Sequence, residues 1–323
     1  MVRFGVVGAG NIAHTFCQAV LGTSGSLEAI ASRDLNKALA YQKKYSIRKA
    51  YGRYQELYQD PDIDCIYLAT PHGLHYEQMM EILDYNKSII CEKAFTLNAS
   101  QAEKVFAKAK QKQCFVMEAM WTRFLPNILH LKQQIKNGVI GSITRLEVDF
   151  CFVASIDDNH RLVRPDLGGG ALLDVGIYPI TLANLLLGVP NAIESTVDLH
   201  CSGVDMRESI TYYYPNAVAQ LTASFVDEKA REARIFGEKG WIKVPQFWSS
   251  ETTFIYDLND TLVNHYSFKH RVNGFEYQIA EAIKMIELGE CQSPLMPHRE
   301  TLEILRQMDV LRSMWNMRYP IEK

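Results

Sequence analysis

The chain has 323 residues, of which 47% are hydrophobic, and its formal net charge is −3. This length predicts about two globular domains with enough apolar material for a core in each. The absence of a basic excess argues against a nucleic-acid partner.

The seven cysteines are scattered and include no C-x-x-C pair, so neither a disulfide framework nor a zinc site is expected. The first residues enter an apolar strand without the charged and apolar regions of a signal peptide. No later stretch reaches about 18 uninterrupted apolar residues, the length that a membrane span needs. These features predict a cytoplasmic protein in a reducing compartment, with no membrane partner.

The first predicted element is an apolar strand at 2–7, which leads directly into a Gly-x-Gly-x-x-Ala turn. In a dinucleotide-binding fold Gly8 permits the tight turn, Gly10 lets the backbone approach a pyrophosphate, and Ala13 keeps the following helix close. The amino end of that helix would face the phosphates. The expected pyrophosphate contacts are Gly8, Gly10, Asn11 and Ile12.

Up to about residue 120, short apolar runs alternate with helical patterns, which predicts a parallel sheet. Further strands are predicted at 27–31, 65–69, 88–91 and 114–118. A helix should begin after Asn98, whose side chain can cap it. We therefore predict an α/β protein whose residues 1–120 form a Rossmann domain with a doubly wound sheet.

The second strand ends at Ser32, where an NAD enzyme usually offers a carboxylate to the ribose 2′-hydroxyl. Arg33 and Lys37 instead supply positive charge for a 2′-phosphate. Asp34 should begin the next helix. The pattern favours NADP as the cofactor, with NAD as the alternative, although a capped helix start beside a solvated arginine would look the same.

The next strand ends in a loop that holds Ala69, Thr70, His72 and His75, at the edge where ligands collect in open α/β sheets. Two histidines three residues apart can suggest a metal. No cysteine or carboxylate completes a ligand set nearby, so no metal site is predicted. We expect the four residues to contact the cofactor, with a purely structural His75 as the alternative.

Glu92 and Lys93 follow the strand at 88–91 and reach the same edge of the sheet. An ammonium group there can orient a substrate hydroxyl and stabilise negative charge on a neighbouring acid. A solvated lysine is the alternative.

Beyond Gly141 the hydrophobic period changes to two, which indicates long strands with one covered face. Such strands are predicted at 146–152, 193–200, 208–214, 217–225, 233–237 and 241–244. Helices at 275–288 and 298–315 close the chain, and one or both could pack on the first domain. Residues 121–323 should thus form an α+β domain with a large, mainly antiparallel open sheet, whose outer face could form a homodimer.

Three glycines at 168–170 allow an unusually close backbone approach shortly before Asp174 and Tyr178. Asp174 and Tyr178 are four residues apart and would share one face of a helix. A tyrosine and a lysine could exchange a proton with a carbinol while a nicotinamide carries the hydride. A packed tyrosine is the alternative.

Together these motifs resemble the glucose-fructose oxidoreductase, inositol dehydrogenase and rhizopine-catabolism family of NAD(P)-dependent oxidoreductases over nearly the whole chain. The resemblance rests on Gly8-Ala9-Gly10, Thr70-Pro71-His72, Glu92-Lys93 and Asp174-x-Gly176-x-Tyr178. The stretches 118–124 and 168–174 are especially similar to the dimeric dihydrodiol dehydrogenase branch, in which the acid is tyrosine.

The resemblance implies that Lys93 and Tyr178 form the catalytic pair and that Asp174 supports them in the substrate pocket. Glu92 would lie at the cofactor, and Trp121 with Arg123 would form a wall near the nicotinamide. Trp121 would also contact the substrate. Arg161 and Arg164, which lie just before the glycine run, are candidates for substrate contact, with solvated loop charges as the alternative. The implied substrate is a sugar, polyol or cyclic diol that reacts at a hydroxyl or carbonyl carbon.

Ala94 stands where the family has proline. A cis peptide before a residue other than proline costs about 2.5 to 4 kcal/mol. We therefore predict a trans Lys93–Ala94 bond with a locally adjusted loop.

Two other functions fit the same fold. A non-catalytic NADP-dependent sensor is the alternative outside enzymes, and the presence of both Lys93 and Tyr178 argues against it. A biliverdin-reductase-like or amino-sugar oxidoreductase is the alternative among enzymes and would need a differently lined pocket.

Overall fold

The computed structural model describes residues 1–157 and 160–322. The chain divides into two compact units. The first consists of Met1–Trp121 and His270–Leu302, and the second of Thr122–Lys269 and the chain from Glu303 onward. Each unit has one sheet, and the predicted α/β class is confirmed.

The first unit is built on six strands that pair only in parallel. They are β1 (Arg3–Val7), β2 (Ser26–Ala31), β3 (Lys49–Tyr51), β4 (Cys65–Leu68), β5 (Ser88–Glu92) and β6 (Val116–Ala119). Their order in the sheet is β3-β2-β1-β4-β5-β6. The order reverses between β1 and β4, and the carboxyl ends of strands at such a reversal form the ligand crevice of open α/β sheets.

The α-helices follow the alternation predicted for the first half and the two segments predicted near the end. They are α1 (Asn11–Val20), α2 (Leu35–Tyr45), α3 (Tyr54–Tyr58), α4 (His72–Asp84), α5 (Ala99–Lys112), α6 (Pro126–Lys136), α7 (Ile177–Leu187), α8 (Phe275–Glu287) and α9 (His298–Met314). The predicted cap of α5 is confirmed, because the Asn98 side chain accepts the Gln101 N–H at 2.9 Å. Within the first unit α8 packs against α1.

The second unit is built on eight strands. They are β7 (Ile143–Cys151), β8 (Ala192–Leu199), β9 (Asp205–Tyr213), β10 (Val218–Ser224), β11 (Glu232–Gly237), β12 (Gly240–Pro245), β13 (Thr252–Tyr256) and β14 (Leu262–Ser267). The sheet order is β14-β13-β12-β11-β7-β10-β9-β8. Neighbours are antiparallel except β7 and β10, which run parallel, so the sheet is mainly antiparallel as predicted.

One face of this sheet is covered by a long apolar helical segment at 165–187. Within the described part of the chain it is the one helical stretch long and apolar enough to cross a membrane, but most of it is buried inside the protein. Its last part, α7, packs on β7 and β10. The segment is therefore part of the core of the second unit.

Candidate active site

The glycine turn after β1 opens a space at the start of α1. Gly8 has a φ of +100°, and a Cβ there would lie 2.8 Å from the Ala69 carbonyl oxygen, so a side chain is excluded. Gly10 is the N-cap of α1 and offers no side chain to the first amides. A Cβ on Gly10 would have no atom of the described residues within 4 Å. The exposed Asn11 and Ile12 complete a turn that fits a dinucleotide pyrophosphate.

Tyr41 fixes this glycine turn from α2. Its hydroxyl donates to the Gly10 carbonyl oxygen at 2.7 Å, and its ring is almost fully buried. The contact joins residues 31 positions apart. Sequence reasoning missed Tyr41 because no local pattern marks a side chain that supports a distant backbone oxygen.

The end of β2 carries two cationic side chains, Arg33 and Lys37. The carboxylate nearest to them in sequence, that of Asp34, is used to cap α2. The buried Ser32 hydroxyl accepts the Asp34 N–H at 3.2 Å, and the Asp34 carboxylate accepts the Asn36 N–H at 3.0 Å to cap α2. Asp34 thus begins the helix as predicted. Arg33 and Lys37 are exposed at this edge.

The loop after β4 is tied down by His75, which is fully buried. Its Nε2 lies 2.7 Å from the Thr70 carbonyl oxygen and its Nδ1 lies 3.0 Å from the Ala94 carbonyl oxygen. Burial lowers the pKa of His75, and the bonds to these carbonyls oppose that shift. Ala69 is half-buried, and Thr70 and His72 are buried in the same loop. Among residues 1–157 and 160–322, no cluster of three histidine, cysteine or carboxylate side chains could hold a metal.

Lys93 comes directly after β5, at the carboxyl edge of the sheet, and is half-buried. The preceding Glu92 is 6% exposed, and its carboxylate accepts a hydrogen bond from the hydroxyl of Tyr67. The hydrogen bond from Tyr67 therefore anchors the end of β5, while Lys93 keeps partial access to solvent.

The Lys93–Ala94 peptide bond is cis, so the prediction of a trans bond is wrong. The prediction considered only the local preference of the peptide bond. In the structure Ala94 is fully buried and its carbonyl oxygen lies 3.0 Å from Nδ1 of His75. The next amide, from Phe95, donates to Oε1 of Glu118 at 3.2 Å. These buried contacts determine the path of the chain.

Trp121 and Arg123 belong to a short 3₁₀ turn that spans the boundary between the two units. The Trp121 ring is half-buried in the first unit, where its centroid lies 4.9 Å from that of Phe275. Arg123 belongs to the second unit and is 4% exposed.

In the second unit the glycine run leads into a π-helical turn, Leu172–Gly176, which continues into α7. Asp174 lies in this turn, and Tyr178 lies one helical turn later and is 7% exposed. The sequence predicted a helix here but not its widening, because the extra residue per turn has no signature in the hydrophobic pattern. Widened turns of this kind occur frequently at functional sites.

Two arginines precede this turn, and the structure brings one of them to Asp174. Nη1 of Arg161 lies 3.0 Å from Oδ1 of Asp174. Arg164 instead donates from Nε to Oδ1 of Asp166 at 2.7 Å. Arg161 is thus the arginine that is positioned beside Asp174.

An aromatic wall flanks Tyr178, formed by Phe150 and Trp248. The centroid of the Phe150 ring lies 5.5 Å from that of Tyr178, and it stacks on Trp248 at 4.2 Å. Such faces pack well against the C–H surfaces of a cyclic ligand. Sequence reasoning included Phe150 only as part of the predicted strand at 146–152 and missed Trp248, since nothing local shows that the two rings meet.

Solved structures share this fold across nearly the whole chain. A 3-ketoreductase from Actinomadura kijaniata in complex with NADP and TDP-benzene superposes with a TM-score of 0.87 at 23% identity, covering 97% of both chains. An aldose-aldose oxidoreductase from Caulobacter crescentus in complex with glycerol superposes with a TM-score of 0.87 at 21% identity, covering 98% of this chain and 97% of the other.

Relatives of known activity align along nearly their full length. The trans-1,2-dihydrobenzene-1,2-diol dehydrogenase of Mus musculus is 30% identical, with 100% of this chain and 99% of the relative covered. The D-xylose 1-dehydrogenase (NADP(+)) of Hypocrea jecorina is 29% identical, with 99% of this chain and 93% of the relative covered.

Two family models match consecutive parts of the chain. Residues 2–120 match the oxidoreductase family with an NAD-binding Rossmann fold, and residues 128–243 match the GFO/IDH/MocA C-terminal domain. The resemblance inferred from the motifs is confirmed, and the chain is a member of the GFO/IDH/MocA family of oxidoreductases.

Proposed function

We propose that this chain is an NADP-dependent oxidoreductase that acts on a hydroxyl or carbonyl carbon of a sugar, polyol or cyclic diol. The observation that carries the proposal is the setting of Tyr178, a nearly buried phenol one helical turn after Asp174 and beside an aromatic wall. The relatives named above, a dihydrobenzenediol dehydrogenase and a D-xylose dehydrogenase, support this substrate class.

The chain's own residues move the proton in the proposed reaction. The bound nicotinamide supplies the hydride acceptor or donor. During oxidation the Tyr178 oxygen accepts the hydroxyl proton, and the Lys93 ammonium stabilises the negative charge that develops on oxygen. The Asp174 carboxylate holds the Arg161 guanidinium, which can donate to other substrate oxygens. Reduction follows the same proton path in reverse.

A substrate screen tests the proposal. Sugars, polyols and cyclic diols are offered with NADP and with NAD in parallel, and the absorbance of the reduced nicotinamide is followed. We expect turnover with NADP on at least one member of these classes. Tight NADP binding without turnover of any compound in these classes would contradict the proposal. That result would favour the alternative of a non-catalytic NADP-dependent sensor.

The cofactor preference depends on the charge at the end of β2. We expect Ser32→Asp to shift the ratio of NADP to NAD affinity toward NAD by about tenfold or more, ~1.4 kcal/mol, because the new carboxylate would repel a 2′-phosphate. Fluorescence titration with NADPH and NADH measures both dissociation constants. Ser32→Asn is the control of equal size without charge, and an equal shift in both variants would refute the electrostatic explanation.

We also propose a homodimer through the outer face of the large sheet. On this face the half-buried rings of Phe236, Trp241 and Tyr256 form a row across three strands, with centroids 5.8 Å and 4.3 Å apart. Multi-angle light scattering at micromolar concentration is expected to give twice the chain mass of 36.8 kDa. A mass equal to one chain would contradict the dimer.

A further inference from the structure

Two carboxyl groups of the second unit, Asp205 and Glu208 on β9, support the turn that carries Asp174. Both side chains are fully buried. Oδ2 of Asp205 accepts the N–H of Leu172, the first residue of the π-helical turn, at 2.5 Å. Oε1 of Glu208 occupies the space that a Cβ on Gly176, the last residue of that turn, would need. The two acids therefore contact opposite ends of the turn.

The glycine run makes room for this arrangement. Gly170 has a φ of +113°, and Oδ1 of Asp205 occupies the space of its missing Cβ. A Cβ on Gly169 would lie 2.7 Å from the carbonyl oxygen of Leu162. The close approach expected from three glycines is thus made by the protein's own backbone and by Asp205.

The two carboxyl groups are neighbours within hydrogen-bonding reach of each other. Among the described residues, no N–H or hydroxyl donates to either oxygen of Glu208 or to Oδ1 of Asp205. Burial raises the pKa of Glu208, and the neighbouring Asp205 raises it further. Burial also raises the pKa of Asp205, but the amide of Leu172 opposes that shift. A single proton shared by the pair, carried by Glu208 and donated to Asp205, would satisfy oxygens that have no other donor.

We propose that Asp205 and Glu208 are positioning residues whose shared proton fixes the π-helical turn and thereby the directions of the Asp174 and Tyr178 side chains. Both acids would act through the turn, because their side chains are fully buried. The inference rests on the proposed function in so far as Tyr178 is the group that exchanges the proton.

Two substitutions at Glu208 separate the hydrogen bond from the packing. Glu208→Gln keeps the size and still donates to Asp205, so kcat should stay within about threefold of wild type. Glu208→Leu removes the donor and leaves the Asp205 carboxylate buried without it. Its kcat should fall by about tenfold to a hundredfold, with the KM for NADP unchanged, because small displacements of catalytic groups have effects of this size.

A second variant and a control distinguish loss of the acid pair from a general loss of stability. Gly176→Ala keeps both acids, but its methyl group would displace the Glu208 carboxyl group. It should therefore lower kcat as much as Glu208→Leu does. A general effect on helix stability would act in the opposite direction, because alanine favours helix over glycine. Ile235→Ala leaves a cavity around a fully buried position on β11. Below its melting temperature this control should keep the wild-type kcat.

Hydrogen exchange of the peptide 170–178 gives a readout that needs no turnover. We expect faster exchange in Glu208→Leu and Gly176→Ala, and the wild-type rate in Glu208→Gln and Ile235→Ala. If the screen finds no substrate, the proposed function fails while the exchange rates still test the pair. Wild-type exchange in Glu208→Leu and Gly176→Ala, or equal acceleration in Glu208→Gln and Glu208→Leu, would overturn the inference.

Discussion

Replacement of Tyr178 by phenylalanine is expected to lower kcat by about 10²- to 10⁴-fold, the range found when a positioned general acid or base is removed. Phenylalanine retains the ring, which lies 5.5 Å from Phe150, so only the hydroxyl is lost. The dissociation constant for NADPH should stay near the wild-type value, because the proposed pyrophosphate contacts all lie in the first unit. Steady-state kinetics and fluorescence titration measure the two quantities.

The matched control for Tyr178→Phe is Tyr212→Phe. Tyr212 is also buried in the second unit, and its hydroxyl has no hydrogen-bond partner among the described residues. Removal of this hydroxyl should leave kcat unchanged. Equal activity of Tyr178→Phe and wild-type protein would refute the acid–base role of Tyr178.

Substitution of Lys93 by methionine should have the second largest effect, a decrease in kcat of about 10²- to 10³-fold, typical for the loss of one group that stabilises charge in the transition state. Methionine has a similar length but no charge, and the half-buried position can accept it. Because Lys93 also lies at the predicted cofactor edge, the dissociation constant for NADPH should rise, but by less than kcat falls. Steady-state kinetics measures kcat, and fluorescence titration measures the dissociation constant for NADPH.

Lys110 provides the comparison for Lys93. It is an exposed residue in the last turn of α5, so Lys110→Met removes one positive charge from the same unit without touching the sheet edge. This variant should match the wild type in both measurements. A similar loss in both lysine variants would mean that net charge, rather than the position of Lys93, is responsible.

Features that depend on neighbouring residues were predictable from the sequence. The apolar runs of β1, β2, β4 and β5 and the cap at Asn98 arise from interactions within a few residues, so local patterns reveal them. The ordered motifs at Gly8, Lys93 and Tyr178 were sufficient to identify the family, since each requires a particular residue at a particular strand or helix end.

Features that depend on distant partners were not predictable. The strand β3 has only three residues, and β14 is largely exposed, so neither has a clear hydrophobic pattern. The cis bond before Ala94 is surrounded by contacts from other loops, which no dipeptide preference includes. Glu208 was the first residue of a predicted strand and Asp205 lay outside every predicted strand. Neither stood out, because their burial depends on a turn more than thirty residues earlier.

The first unit is interrupted in sequence by the entire eight-stranded sheet. Its second piece supplies α8 against α1, the His298 ring stacked 3.9 Å from Phe106, and the Thr301 hydroxyl that donates to Glu118 at 2.9 Å. During synthesis these surfaces of the first unit therefore stay uncovered until the ribosome has made the eight-stranded sheet of the second unit. A chain that ends near residue 121 would lack the second piece of the first unit, so the first unit can be completed only after the second unit's sheet has been synthesised.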